Sequence, residues 1–134
     1  MKKSGHFKAE TVRNYLDREK SRSIRINPDS VQCFQESIDY LTAQGIKVVL
    51  AFIPVVDLLN ELDLINQEKV TAIFRQTASK NKNVYYMDYN QEYQHNHALF
   101  YDLRHLNKEG DELVTARLVN DLRSITSFDN AGVD

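Results

Sequence analysis

The residues that follow Asn27 carry the first clear helical pattern. Apolar side chains recur there every three or four positions, which is typical of an amphipathic helix. They are Val31, Phe34, Ile38 and Leu41. Asn27 and Pro28 suit the cap and the first turn of a helix, and Gly45 suits the position just past its end. The pattern therefore predicts a helix between these two signals.

Two short apolar runs predict β-strands. Residues 46–53 form a nearly continuous apolar run closed by Pro54, which is typical of a strand that is covered on both faces in a parallel sheet. Residues 84–88 form the second run. The stretch between the two runs predicts a helix capped by Asn66. Its apolar positions are Val70, Ile73, Phe74 and Ala78.

A last helix is predicted to begin at Asn107, which is predicted to cap it. Its apolar positions are Leu113, Val114, Leu118, Leu122 and Ile125. Strands and helices therefore alternate, which predicts an α/β fold with a parallel sheet and flanking helices. Two strands make a thin sheet with exposed edges. Either residues 22–26 add an edge strand, a second copy of the chain supplies the rest, or the chain is part of a larger fold.

Length and composition describe one globular domain of 134 residues, of which 42% are hydrophobic and 27% charged. We divide it into a basic N-terminal segment of uncertain structure (1–26), an α/β portion (27–125) and a flexible tail (126–134). The N-terminal segment holds eight of the 17 Lys and Arg against three acids. Its bases are interrupted by acids and are not interleaved with aromatic residues. A solvated segment of mixed charge is therefore favoured, and no nucleic-acid partner is predicted.

Cysteine content and hydropathy exclude several other classes of protein. Cys33 is the only cysteine, so neither an internal disulfide nor a thiolate metal cluster can form, and its place in a helical pattern predicts a small core residue. No apolar run reaches transmembrane length. Met1-Lys2-Lys3 is not followed by the hydrophobic stretch of a signal peptide. We expect a cytoplasmic protein if Met1 is the true start, and an exported one if the chain is a fragment of a longer envelope protein.

The most informative phrase runs from Phe100 to Gly110, FYDLRHLNKEG. It holds Asp102 and His105 three residues apart, immediately before the predicted start of the last helix. A carboxylate that accepts the imidazole Nδ1–H fixes the tautomer and leaves Nε2 free as a general base. Gly110 would let this turn approach a neighbouring backbone closely. The alternative is an exposed pair ahead of a capped helix, and the whole phrase favours a working pair or the remnant of a triad.

The pattern Asp-x-x-His-Leu-Asn-x-x-Gly at Asp102 to Gly110 resembles the C-terminal block of the SGNH (GDSL-type) hydrolases. The order of predicted elements over residues 28–125 is also similar to the last third to half of that family's flavodoxin-like sheet. It is especially like the branch that modifies acyl groups on cell-envelope polymers. The resemblance implies a partial flavodoxin-like fold, an acyl-ester substrate that is a small molecule or a glycan, and no cofactor. It also implies that His105 is the base and Asp102 its orienting carboxylate.

The chain departs from that family at the nucleophile. It contains neither Gly-Asp-Ser nor Gly-x-Ser-x-Gly, and no serine follows a predicted strand on a sharp glycine turn. The resemblance therefore implies the C-terminal portion of a serine esterase or acyltransferase that lacks its nucleophile block and is inactive on its own unless a serine is supplied. A non-catalytic α/β module for binding or assembly, including self-association, is the alternative.

Other polar and aromatic groups carry weaker signals. His95 and His97, with Glu92 nearby, are spaced to share a metal ion, but an exposed loop is favoured and no metal is predicted. Asp57 and Asp63 follow the first strand at the edge where ligands of open α/β folds bind, although loop capping is the favoured role. Asp88 ends the second strand, and loop capping is the favoured role for it too. Five tyrosines either line an acyl or sugar pocket or pack on the sheet: Tyr85, Tyr86, Tyr89, Tyr93 and Tyr101.

Overall fold

The structure of the protein is a computed structural model that describes Asn14, Asp17 and residues 24–60 and 64–127. It is a mixed α/β fold in which helices flank a parallel sheet of two strands. The elements in chain order are α1 (Pro28–Ala43), β1 (Val48–Phe52), α2 (Asp57–Asn60), α3 (Leu64–Lys80), β2 (Val84–Asp88), α4 (Tyr89–Tyr93), a 3₁₀ turn (His97–Leu99) and α5 (Lys108–Ser127). The predicted alternation of helices and strands is thus confirmed.

Helix α1 begins and ends at the two predicted signals. The Asn27 Oδ1 accepts a hydrogen bond from the Asp29 amide at 2.9 Å, and Pro28 occupies the first turn. Gly45, two residues past the helix, has a φ of +76°, a conformation that glycine adopts at little cost. Cys33, however, is exposed on α1, so the prediction that it is a core residue is wrong. It lies beside the apolar face of the helix instead of within it.

The sheet pairs β1 and β2 in parallel, from Val48 opposite Val84 to Phe52 opposite Asp88. Helices lie on both sides of it. On one side the Phe74 ring of α3 lies 6.3 Å from the Tyr86 ring of β2. On the other, the buried Tyr89, which follows β2 directly, donates to Asp121 of α5 at 2.8 Å.

Four details differ from the sequence-based prediction. β1 spans five residues and none of them is fully buried, because no third strand covers its outer edge among the residues that the structure describes. Residues 24–26 form no strand, and the rest of the predicted edge strand, residues 22 and 23, lies outside the described part. α3 already includes Leu64, so Asn66 lies inside the helix and does not cap it. α5 continues through Ser127, past the predicted boundary at residue 125.

The best-buried cluster of the described residues lies under loops and not under the sheet. It consists of Val56, which follows β1, together with Leu99, Phe100 and Leu103, which follow β2. Val56 and Phe100 have no exposed surface. Burial of these four side chains fixes the loops at the carboxyl edge of the sheet, where the polar groups singled out from the sequence are found. Within the described residues, no helix combines the length and the apolar character that a membrane span requires.

Candidate functional site at the carboxyl edge of the sheet

Asp102 and His105 form a direct pair, which we call the Asp102 site. The His105 Nδ1 lies 2.8 Å from the Asp102 Oδ1 and 2.9 Å from its Oδ2. The same Oδ1 accepts the amides of Arg104 and His105 at 2.8 and 2.9 Å. A carboxylate that accepts the amides two and three residues ahead closes a tight turn. The spacing of three residues therefore produces the contact that the sequence predicts.

The charge of Asp102 defines the tautomer of His105. Burial acts to raise the pKa of Asp102, but hydrogen bonds from the Arg104 amide, the His105 ring and the His105 amide outweigh it and hold the pKa below its ordinary value of 3.8. The carboxylate is therefore ionised at neutral pH and can only accept, so Nδ1 is the donor of the pair. The Nε2 of a neutral His105 then carries the lone pair of a base. The His105 side chain is 69% exposed, which leaves this atom open to a partner.

The segment from Phe100 to Leu106 holds this turn in place. Phe100 and Leu106 form an antiparallel bridge, and the Tyr101 amide donates to the His105 carbonyl at 2.8 Å. Phe100 and Leu103 belong to the buried cluster, whereas Asp102 is half-buried and His105 is exposed. The two buried side chains thus anchor the turn, and the imidazole is presented to solvent.

Asn107 and Gly110 join the turn to α5. The buried Asn107 side chain caps the helix by accepting the Gly110 amide at 3.0 Å, and it donates to the Ala98 carbonyl at 2.7 Å. The Asn107 amide donates to the Leu99 carbonyl at 2.9 Å. A Cβ on Gly110 would collide with that same carbonyl oxygen. The predicted cap and the predicted close approach at Gly110 are both confirmed.

A second carboxylate–imidazole group, which we call the Asp57 site, joins residues far apart in the sequence. The Asp57 Oδ2 lies 2.7 Å from the His95 Nδ1, and its Oδ1 lies 2.8 Å from the His97 Nε2. Asp57 also accepts the Leu58 amide at 2.8 Å. The favoured interpretation of His95 and His97 as a plain exposed loop misses this carboxylate. Both loops follow the carboxyl end of a parallel strand, and that shared edge is the signal that could have predicted the contact.

Asp57 has the more enclosed carboxylate of the two sites. Its side chain is 18% exposed, whereas that of Asp102 is 40% exposed. Burial acts to raise the pKa of Asp57, but hydrogen bonds from His95, His97 and the Leu58 amide hold it below 3.8. The ionised Asp57 therefore accepts an N–H from each imidazole. Throughout residues 24–60 and 64–127, no three His, Cys, Asp or Glu side chains are arranged to bind a metal ion.

Backbone hydrogen bonds link the loops that carry the two sites. The Val56 amide donates to the Leu103 carbonyl at 3.0 Å, and the Asp57 amide donates to the Gln94 carbonyl at 3.2 Å. Val56, the residue before Asp57, is thus hydrogen-bonded directly to the turn that holds Asp102. Both carboxylate–imidazole groups lie at one edge of the sheet, around one buried cluster.

The serines of the described helices are not placed as nucleophiles. The hydroxyls of Ser37, Ser79 and Ser124 each donate to a backbone carbonyl of their own helix, at 2.7 to 2.9 Å. Each lies inside a helix and not at a turn that follows a strand. Ser30 and Ser127 also belong to helices, and the other serines of the chain, Ser4, Ser21 and Ser23, lie outside the described residues.

The other groups singled out from the sequence have structural partners. Asp88 caps α4 by accepting the Gln91 amide at 3.0 Å and pairs with Arg75 at 3.3 Å. Burial, followed by the neighbouring charge of Asp88, raises the pKa of Tyr86 to about 12. Burial and the hydrogen bond to Asp121 do the same for Tyr89, whose pKa is also about 12. Asp63 lies outside the described residues.

Comparison with known proteins identifies no relative. A scan against protein-family models matches no family, and searches of curated proteins and of solved structures find no match.

Proposed function

We propose that this chain is the C-terminal portion of an SGNH-type (GDSL-type) serine esterase or acyltransferase with a partial flavodoxin-like sheet. The observation that carries the proposal is the contact of Asp102 with the Nδ1 of His105 in a turn that leaves Nε2 exposed. This is the arrangement of the base and the orienting carboxylate in a hydrolytic triad. The nucleophilic serine and the oxyanion donors come from sequence outside these 134 residues or from another chain.

The proposed chemistry is acyl transfer. The His105 Nε2 takes the proton of an incoming serine hydroxyl as the serine oxygen bonds to the carbonyl carbon of an acyl ester. The imidazolium then returns that proton to the departing alcohol, and an acyl-serine remains. Water, or the hydroxyl of an acceptor, releases the acyl group by the same two proton transfers. Asp102 holds the ring and stabilises the imidazolium, and it keeps its own charge throughout because its pKa lies below 3.8.

The first test is the coding sequence upstream of Met1. An in-frame Gly-Asp-Ser would support the missing nucleophile block, and the extended chain should then cleave short p-nitrophenyl esters. His105→Ala should reduce that rate by a factor of about 1,000 or more, as expected for loss of a triad base. His95→Ala is the matched control, because it removes another exposed imidazole held by a carboxylate. A rate that His105→Ala leaves unchanged would refute the mechanism.

A non-catalytic binding or assembly module is the second candidate function. The outer edge of β1, which pairs with no strand among the described residues, and the apolar surface beside it favour this candidate. An edge strand of this kind is suited to adding a strand from another chain. The two candidate functions depend on different parts of the molecule. Loss of the His105 imidazole would abolish the first function and leave the second intact, because strand addition at β1 requires nothing of that side chain.

A further inference from the structure

The outer edge of β1 carries no strand among the residues that the structure describes. Its inner edge pairs with β2 along all five residues. β1 reads VVLAF and contains no charged side chain. Ile53 directly follows β1 and is 49% exposed, and Ile46, two residues before β1, is 44% exposed. Lys47, between Ile46 and the strand, donates to the Ile125 carbonyl of α5 at 3.1 Å. A short, uncharged and apolar edge of this kind is a template for another strand.

An apolar groove of about 500 Å³ runs beside this edge. Four consecutive β1 residues, 49–52, form one side of it. Phe34 of α1 and Phe74 of α3, whose rings lie 5.4 Å apart, contribute to the opposite side. None of the described residues that line the groove is charged. An occupant with a buried charge would find no partner there, so the groove selects an uncharged, apolar strand.

We propose that a second copy of this chain occupies the groove. The two β1 strands pair antiparallel about a two-fold axis perpendicular to the sheet, which gives a continuous four-stranded sheet in the order β2, β1, β1, β2. The inference rests on the assembly function proposed above and requires nothing of Asp102 or His105.

The alternation of side chains along β1 explains why a second copy fits. Leu50 is opposite Tyr86, which packs against Phe74, so Leu50 faces the side of the sheet on which α3 lies. Val48 and Phe52 share that face because side chains alternate along a strand. A two-fold axis perpendicular to the sheet keeps the same face on the same side in both copies. The second copy therefore directs its own three apolar side chains toward the groove.

Charge also favours β1 over the other edge of the sheet. β2 ends in Asp88, which pairs with Arg75, whereas neither β1 nor any described residue that lines its groove is charged. The net charge of −2 leaves little long-range repulsion between two copies. A contact between two β1 edges is also self-complementary, so it closes at the dimer and does not continue into a filament.

The size of the edge sets the expected affinity. Specific interfaces bury roughly 1,000 Å² or more in total, and smaller ones are weak. Pairing of two five-residue strands is a short contact, so the groove and the flanking Ile46 and Ile53 have to supply the remaining area. We therefore expect a dissociation constant on the order of micromolar.

Light scattering coupled to size-exclusion chromatography tests the dimer. Between about 1 and about 100 µM, a range that brackets such a constant, the mass should rise from 15.6 kDa toward twice that value. Ala51→Lys places a charge on an exposed residue of the paired edge, and it should raise the dissociation constant about a hundredfold. Ala116→Lys is the matched control, because it adds the same charge to an exposed position of α5 and should leave the dimer intact.

Circular dichroism of Ala51→Lys separates dissociation from unfolding. If that variant unfolds, Ile53→Lys provides the same measurement at a half-exposed residue outside the strand. A mass of 15.6 kDa at every concentration would overturn the proposal, as would a dimer that survives both lysines on the edge. In a monomer, slow exchange of the β1 amides that point away from β2 would show that another part of the same chain covers the edge, which also overturns the proposal. The dimer requires nothing of Asp102 or His105, so its failure leaves the catalytic proposal to its own test.

Discussion

The Asp102 site and the Asp57 site use the same chemistry and are assembled differently. In each, an ionised carboxylate holds an imidazole through Nδ1, at 2.8 Å for His105 and 2.7 Å for His95. The first pair spans three residues of one turn, whereas the second joins residues 38 positions apart. A local contact can be predicted from spacing because the backbone dictates it. A distant contact depends on how the loops pack.

The two sites also differ in what anchors them. The turn of Asp102 is continuous with α5 through Asn107 and Gly110, so one helix start fixes it. Asp57 instead holds a loop against the end of β1, and its side chain is the more buried of the two. Substitutions at the two sites should therefore differ in how much they lower the free energy of unfolding. The largest losses are expected where α5 meets the Asp102 turn.

Gly110→Ala should have the largest effect. The added methyl collides with the Leu99 carbonyl, which also accepts the Asn107 amide, so the backbone has to move. We expect a loss of about 3 kcal/mol in the free energy of unfolding, measured by urea denaturation. NMR signals of His105 should shift more than those of His95.

Gly45→Ala is the control for that substitution. A Cβ at Gly45 meets no atom within 4 Å, and only the φ of +76° opposes it, so the expected cost is about 1 kcal/mol. Equal losses in the free energy of unfolding for Gly110→Ala and Gly45→Ala would contradict the close contact at Gly110.

Asn107→Ala should have the next largest effect, a loss of about 2 kcal/mol in the free energy of unfolding. It removes the cap of the Gly110 amide and leaves the Ala98 carbonyl without its donor. Asn107→Asp keeps the accepting oxygen at the helix start and should cost less in the same urea titration. An aspartate as damaging as the alanine would show that the cap contributes little.

Asp57→Asn should lower the free energy of unfolding by about 1 kcal/mol at pH 7, because hydrogen bonds to a charged acceptor are lost from both imidazoles. Asp102→Asn should lower it less, because the bonds that it weakens lie within one exposed turn. The matched pair of urea midpoints measures the difference. A greater loss at Asp102 would reverse the proposed ranking of the sites.

The smallest effect is the pH dependence of those substitutions. The pKa of Asp57 and of Asp102 is lower in the folded chain than the ordinary 3.8. The unfolded chain therefore binds these protons more readily, so each carboxylate stabilises the fold above that value and loses this contribution as the pH falls through the folded pKa. The advantage of the unaltered chain over Asp57→Asn, followed by urea midpoints from pH 7 to pH 3, should shrink below 3.8. An advantage that grows toward pH 3 would contradict the lowered pKa.

The sequence by itself determined the features that depend on neighbours along the chain. The cap at Asn27, the turn at Gly45 and the carboxylate–imidazole contact of Asp102 with His105 follow from local geometry. The β2 run was also predicted with its observed bounds. Periodicity alone, however, placed Cys33 in the core and predicted a first strand over residues 46–53, of which only five residues form β1.

Only the tertiary structure decided what lies across loops and edges. It brought Asp57 to His95 and His97, and it left Cys33 on the exposed side of α1. It also left the outer edge of β1 beside an apolar groove within the described part of the chain. The physical reason is the same in each case. The spacing of hydrophobic residues indicates which side chains avoid water. The burial of a strand and the partner of a carboxylate depend instead on which distant segments fold against them.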